Sequence, residues 1–191
     1  MKILGIDTTD KKLCVCLSLN GKAFFRFSEK ANHNSALMPE IDAILKDSGV
    51  AISNIDCFSA VVGPGSFTGI RVGISTVSAF AFALSKPLIS INSFEIMLHG
   101  NDYEAALIDA GHGNYYAGIR ENGAIKPIFL EVSDVAAFNK RAIFRGETPY
   151  SAESFCSVLN EKAKGKEFSD ALIPLYLRAP QAERTFGTFK R

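Results

Sequence analysis

Three short segments hold residue types that could grip an anion or a nucleotide. The first, Gly63-Pro64-Gly65-Ser66-Phe67-Thr68-Gly69-Ile70-Arg71, joins an apolar run to a helical one. Glycine lets the backbone turn at positive φ and approach another group closely. Ser66 or Thr68 can cap the helix that follows, and its first N–H groups beside Arg71 suit a phosphate or carboxylate. The Lys-Ser/Thr ending of a P-loop is missing. Gly65, Ser66, Thr68 and Arg71 are therefore candidate anion contacts, and a tight turn with no ligand explains the segment equally well.

Asp7-Thr8-Thr9 and Asp109-Ala110-Gly111-His112-Gly113 each follow a short apolar strand. Both are small, hydrogen-bonding turns that could hold phosphates through backbone N–H groups, which makes Asp7, Thr8, Thr9 and Asp109 candidates. Ordinary hairpin turns use the same residues.

The remaining chemistry-bearing residues are sparse. His33, His99 and His112 form no His-Glu-x-x-His arrangement, and no carboxylate is marked by motif as a general base. The cysteines at 14, 16, 57 and 156 include no CxxC pair. Cys14 and Cys16 alternate within a strand-like run, so both should face one side. They read as buried reduced thiols in a reducing compartment.

The elements that must position these residues recur. Apolar stretches at 2–6, 13–19 and 23–27 read as three strands, the last two joined by Asn20-Gly21, a type I′ turn signal. A helix is expected near 35–46, with Pro39 in its first turn, then a strand at 57–62, a helix at 67–84 and a strand at 88–91. The pattern then restarts. Ile108-Asp109 echoes Ile6-Asp7, and Asn122-Gly123 lies thirteen residues after Asp109, as Asn20-Gly21 lies thirteen after Asp7. Strands at 115–120, 125–130 and 141–144 follow, with helices near 133–140 and 152–164. A β-meander followed by alternating helices and strands, given twice, is the plan of the actin-like (ASKHA, ribonuclease H-like) α/β fold, here two βββαβα-type halves with the second reduced. The expected division is 1–100 for the first half, 101–170 for the second, and a C-terminal segment 171–191 packing back on the first.

The 67–84 helix is apolar or small nearly all round, so it needs cover on more than one face. Two arrangements satisfy that. It can be sandwiched within the core, or it can form a subunit interface with the 35–46 helix. The second is the expectation, with Leu37, Met38, Ile41, Leu45, Val72, Ser75, Ala79 and Ala83 as contacts.

Bulk properties narrow the function classes. With 191 residues, 47% hydrophobic and 21% charged, the chain can bury a core. Its formal net charge of +1 provides no field steering it to nucleic acid or an anionic membrane. The last eight residues carry three positive charges and no acid and read as a short solvated tail. The acid at position 7 interrupts any secretory core, and the uncharged stretch 72–85 is too short to span a bilayer. A soluble, cytoplasmic protein is expected.

Lys2 through Thr9, Asn32-His33-Asn34-Ser35 with Leu37-Met38-Pro39-Glu40-Ile41, Gly63 through Arg71, Leu107-Ile108-Asp109-Ala110, and Leu175 through Glu183 resemble the bacterial TsaB (YeaZ) family. The Gly63–Arg71 stretch also resembles the related catalytic subunit TsaD. The resemblance implies an accessory role in making tRNA N6-threonylcarbamoyladenosine, beside a separate enzyme that makes threonylcarbamoyl-adenylate. The implied partners are TsaD, through the two first-half helices, and the ATPase TsaE, with homodimers through the same surface when alone. Transfer RNA is then met only indirectly through the complex, and no membrane is involved. No cofactor is implied for this chain itself, though ATP or ADP could sit at the partner interface. TsaD relatives carry an Asn-His-x-Glu-Gly-His metal stretch where this chain has Asn92-Ser93-Phe94-Glu95-Ile96-Met97. Ser93 and Met97 replace the two imidazoles and are poor ligands for such a metal, so no metal and no catalysis are expected here. His33 is expected to cap or pack at the first helix, and His112 replaces an Arg of the family pattern. The main alternative is a small-molecule kinase or ATPase of the same fold, although the second half is short for adenine-binding helices. A direct tRNA-binding module is a third reading, disfavoured by the near-neutral charge.

Overall fold

The computed structural model describes residues 1–29, 33–147 and 151–178, with positions 33 and 34 described by backbone alone. The closing stretch 179–183, the basic tail and the His33 side chain lie outside that description.

Alternating apolar residues build the first sheet from β1 (Lys2–Asp7), β2 (Leu13–Leu19), β3 (Lys22–Ser28), β4 (Cys57–Val61) and β5 (Leu88–Ile91). Its order is β3-β2-β1-β4-β5, with the meander antiparallel and β1, β4 and β5 parallel. The second sheet joins β6 (Ala105–Gly111), β7 (Asn114–Glu121), β8 (Ala124–Leu130) and β9 (Ala142–Phe144) in the order β8-β7-β6-β9. This repeats the first four positions, with β9 parallel to β6, so the duplicated α/β plan holds and, among the described residues, the second copy is shorter by one strand. Both hairpin dipeptides adopt the left-handed conformation their residues allow, with φ of 52° and 91° at Asn20-Gly21 and 50° and 81° at Asn122-Gly123.

Strand alternation sends Leu4, Ile6, Val15 and Phe58 to one face of the first sheet. There α1 (His33–Ser48) and α2 (Phe67–Leu84) cover them. Ile3, Cys14, Cys16 and Val61 face the other way, against α5 (Ala152–Lys164). The helices do not stay with their own halves. Phe155 of α5 sits over Gly5 of the first sheet, where an added Cβ would meet its ring at 2.9 Å. Reciprocally, Phe94 of α3 (Ser93–Leu98), from the first half, fills the space above Gly118 in the second sheet. Lys162 of α5 pins the exchange by pairing with Glu95 of α3 at 2.8 Å. Each half thus completes the core of the other.

Several elements depart from the expected pattern. Helix α1 begins at His33, so Pro39 is interior and not in the first turn. The helix expected near 133–140 shrinks to α4 (Val132–Val135). Its chain tightens into i→i+3 bonds (Ala137 N–H to Asp134 O, Phe138 N–H to Val135 O) that lay Val135 and Phe138 on the sheet. Helix α2 runs 18 residues, longer than the uncharged stretch, and has the length and composition of a membrane span. In this fold it lies along the first sheet, on which Ile70, Val77 and Ala81 are buried.

Within the C-terminal segment, Leu172 joins the α1–α2 core and the Leu175 N–H donates to Val62 O at 2.8 Å. The chain then crosses over, placing Leu177 in the Phe94 cluster and the Arg178 guanidinium over Phe129 of β8.

Candidate functional site

The Asp7–Thr9 turn is buried beneath the Gly-rich loop. Asp7, Thr8 and Thr9 are each about 98–99% covered, and Asp7 Oδ1 and both threonine hydroxyls are bonded within the protein. Asp7 Oδ1 accepts the Thr9 N–H at 2.9 Å and the Thr9 hydroxyl at 2.7 Å. Thr8 Oγ1 donates to Gly69 O at 2.6 Å, and the Ser66 N–H donates to Thr9 O at 2.7 Å. The glycines explain the closeness. A Cβ on Gly69 would lie 1.8 Å from Thr8 O, and one on Gly65 would lie 2.3 Å from Thr9 O. The Gly-rich loop therefore receives a turn of the same chain. Of its two hydroxyl candidates, Ser66 is the cap, accepting the Gly69 N–H at 3.2 Å.

Asp109 repeats the Asp7 geometry, with Oδ1 accepting the Gly111 N–H at 2.7 Å, but it is exposed. The shared Asp is explained in both places by a side chain bonding the backbone two residues on. The expected anion set does not converge. Asp7 borders a cleft of about 430 Å³ between the halves, together with Ser93, Met97, His99 and Arg145. Thr68 and Arg71 border a different groove, on the outer side of α1 and α2. Asp109 lines neither. Arg145 was not anticipated from sequence. It follows β9 and reaches Thr9 O at 3.5 Å, a link between halves that no local pattern announces.

The outer groove, about 500 Å³, holds Leu37, Met38, Phe67, Thr68, Arg71 and Val72 among its walls. Phe67 lines it, stacked on Tyr176 at 5.1 Å and with the Arg71 guanidinium 3.9 Å over its ring. Arg71 Nε donates to the Tyr176 hydroxyl at 3.0 Å, so Arg71 is engaged within the chain. The eight expected interface residues divide. Met38, Ser75, Ala79 and Ala83 are exposed and Val72 is half-buried. Leu37, Ile41 and Leu45 are core, at 1%, 0% and 8% exposure, because the α1 stripe that meets the sheet is the one these residues occupy. Ile41→Ala should therefore lose roughly 2–5 kcal/mol of stability, seen as a lower urea midpoint, while the folded fraction binds partners as before. Phe82, 89% exposed, was missed. It lies three residues after Ala79 and one before Ala83, on the same helix face, and that spacing was the available signal.

Ser93 is tied into the fold. Its hydroxyl donates to Pro64 O at 2.8 Å and lies 3.4 Å from Thr9 Oγ1, while Asn92 and Glu95 form a capping box that starts α3.

The model of the family described as TsaD, tRNA N6-adenosine threonylcarbamoyltransferase, matches residues 28–169. The TsaB protein of Bacillus subtilis aligns at 27% identity over 221 positions, covering 96% of both chains. That of Haemophilus influenzae is 32% identical over 61% of this chain and 52% of its own. The chain belongs to the TsaD/TsaB superfamily, on its TsaB (YeaZ) branch. A solved chain from Pseudomonas aeruginosa, described as similar to the peptidase YEAZ, superposes with a TM-score of 0.77 at 24% identity, covering 93% of this chain and 99% of that one. The two-sheet frame is thus shared with that chain. In this chain the Gly-rich segment serves to seat the first hairpin turn under α2.

Proposed function

We propose that this chain is a non-catalytic accessory subunit for formation of N6-threonylcarbamoyladenosine in tRNA, acting in the cytoplasm by pairing with the transferase TsaD. The observation that carries the proposal is the face of α2 that the described residues leave uncovered. Phe67, Arg71, Ser75, Ala79, Phe82 and Ala83 are exposed along one side of a helix whose other side is packed on the sheet. Met38 of α1 extends that surface. Small residues at 75, 79 and 83 allow a partner helix to approach closely, and Phe67 and Phe82 supply apolar area at either end. The same face can join two copies of this chain when TsaD is absent, and TsaE joins the assembly as its ATPase. This chain requires no cofactor in this reading, and ATP or ADP at the shared interface and tRNA held through the complex complete it. The internal use of the Thr8, Thr9 and Ser93 hydroxyls argues for a structural role of that region over phosphoryl transfer.

Reconstitution tests the proposal. Purified chain, TsaD and TsaE are mixed with tRNA, ATP and threonylcarbamoyl-adenylate, and modified nucleoside is scored with each component left out. Omitting this chain should reduce modification to background. Modification that persists without it would remove the proposal, and ATP turnover by this chain alone would favour the kinase reading.

A further inference from the structure

Helix α2 carries a single charge in its 18 residues, Arg71, and that side chain borders the outer groove. Two contacts within the chain hold it in place. The guanidinium lies 3.9 Å over the Phe67 ring, and Nε donates to the Tyr176 hydroxyl at 3.0 Å. Its two terminal nitrogens stay open, because Arg71 is exposed and no carboxylate pairs with it among the described residues. A guanidinium fixed in this way loses little freedom when a carboxylate takes its remaining N–H fork. The rest of the groove wall is apolar or hydroxyl-bearing, with Met38, Val72, Thr68 and Ser75 among it, so no acid there competes for the fork.

Helix α1 supplies the complementary charge. Its acids face two ways. Glu40 and Asp47 are both bonded to Arg26 of β3, at 2.8 and 2.9 Å, and so belong to the flank of α1 on that strand's side. Asp42 lies one helical turn after Met38, on the face that borders the groove. It is exposed and has no hydrogen bond or ion pair among the described residues. Lys46, a further turn on, stands in the last turn of α1, where the helix dipole favours a cation. An open cation on α2 and an open anion on α1, on one surface of one chain, suit an isologous contact, in which the same pair is made twice.

We propose that two copies of this chain pair across a two-fold axis through the α1–α2 face, with Arg71 of each copy taking Asp42 of the other. The inference rests on the reading of that face as the association surface and names what sets the register of the homodimer. The exposed Met38 and Phe82 supply the apolar area that the contact buries. The two ion pairs orient the copies and make their association sensitive to salt.

Charge reversal in the whole chain tests this, by sedimentation equilibrium over a range of concentrations with a thermal melt of each variant. Arg71→Glu alone and Asp42→Arg alone each set like charges against one another twice, and each should weaken self-association at least about tenfold. Mixed in equal amounts, the two variants regain two opposite-charge pairs, so the mixture should dimerise as the unmutated chain does. Asp42→Arg breaks no contact of the described structure, so its effect stands as a test even where Arg71→Glu loosens the Tyr176 contact. An unmutated chain that stays monomeric, single variants that still self-associate, or a mixture that stays apart overturns the pairing. Titration of the unmutated chain with TsaD separates this from failure of the underlying reading. Binding of TsaD without a homodimer overturns the pairing alone, and absence of both overturns the pairing and the reading together.

Discussion

Gly69→Ala should destabilise this protein by about 2–3 kcal/mol, although alanine is the better helix former at that position. The added Cβ would stand 1.8 Å from Thr8 O and 3.0 Å from Thr8 C, both backbone atoms of a turn buried on every side. Neither can yield by a rotamer change. Relief requires moving the turn that carries the Thr8–Gly69 and Ser66–Thr9 hydrogen bonds, or moving the start of α2. Overpacking of this kind costs typically ~1–3 kcal/mol and occasionally more, against a propensity gain of at most about 1 kcal/mol. For a chain of this size each kcal/mol shifts the melting temperature by roughly 2–4 °C, so a fall of about 4–12 °C is expected. Urea unfolding with an unchanged m value checks it. Gly73→Ala is the graded comparison. There the nearest atom is the Thr8 hydroxyl oxygen at 2.5 Å, a side-chain atom that can move, so the loss should be smaller. Equal stability of Gly69→Ala and the parent would mean that the turn does not sit against α2.

Ala79→Arg and Ala83→Arg should leave the fold intact and abolish association. Both positions are exposed, where substitutions shift stability by about 0.5 kcal/mol or less. In a helix-on-helix interface each arginine would bury an uncompensated charge, at a cost of roughly 3–5 kcal/mol. That corresponds to association weaker by about a hundredfold or more. The checks are titration calorimetry against TsaD, sedimentation of the chain alone, and the yield of modified tRNA, beside a thermal melt to show that the variant is folded. Association that survives both substitutions would move the interface off α2. Ile41→Ala is the complement, since it should lower stability and spare association. The pair of results separates a covered α1 face from an open α2 face.

Local chemistry was readable where it is enforced by near neighbours. The I′ signals at Asn20-Gly21 and Asn122-Gly123, the alternation in β2 and the N-cap of α2 all depend on residues within a few positions, and each appears where the sequence puts it. The capping box from Asn92 to Glu95 was equally local and went unread, because a six-residue helix leaves too short a periodicity to notice. The α1 stripe shows the limit of periodicity. It identified Leu37, Ile41 and Leu45 as one apolar face, but an apolar face looks the same whether a sheet or a partner covers it.

The sequence by itself determined the repeated succession of strands along the chain, the position of the Gly-rich loop and the apolar character of α2, since these follow from hydrogen-bonding and hydrophobic patterns with periods of two or 3.6 residues. Only the tertiary structure decided that α3 and α5 cross to the opposite sheets, that Arg145 reaches Thr9, and that Thr68 and Arg71 open onto a different surface from Asp7. The same is true of the Gly-rich loop, which closes on Thr8 and Thr9 sixty residues earlier in the chain. Such contacts are chosen by volume and polar satisfaction among distant residues, a phenylalanine over a glycine or a hydroxyl on a carbonyl. Neither partner carries a mark of the other until the chain brings them together.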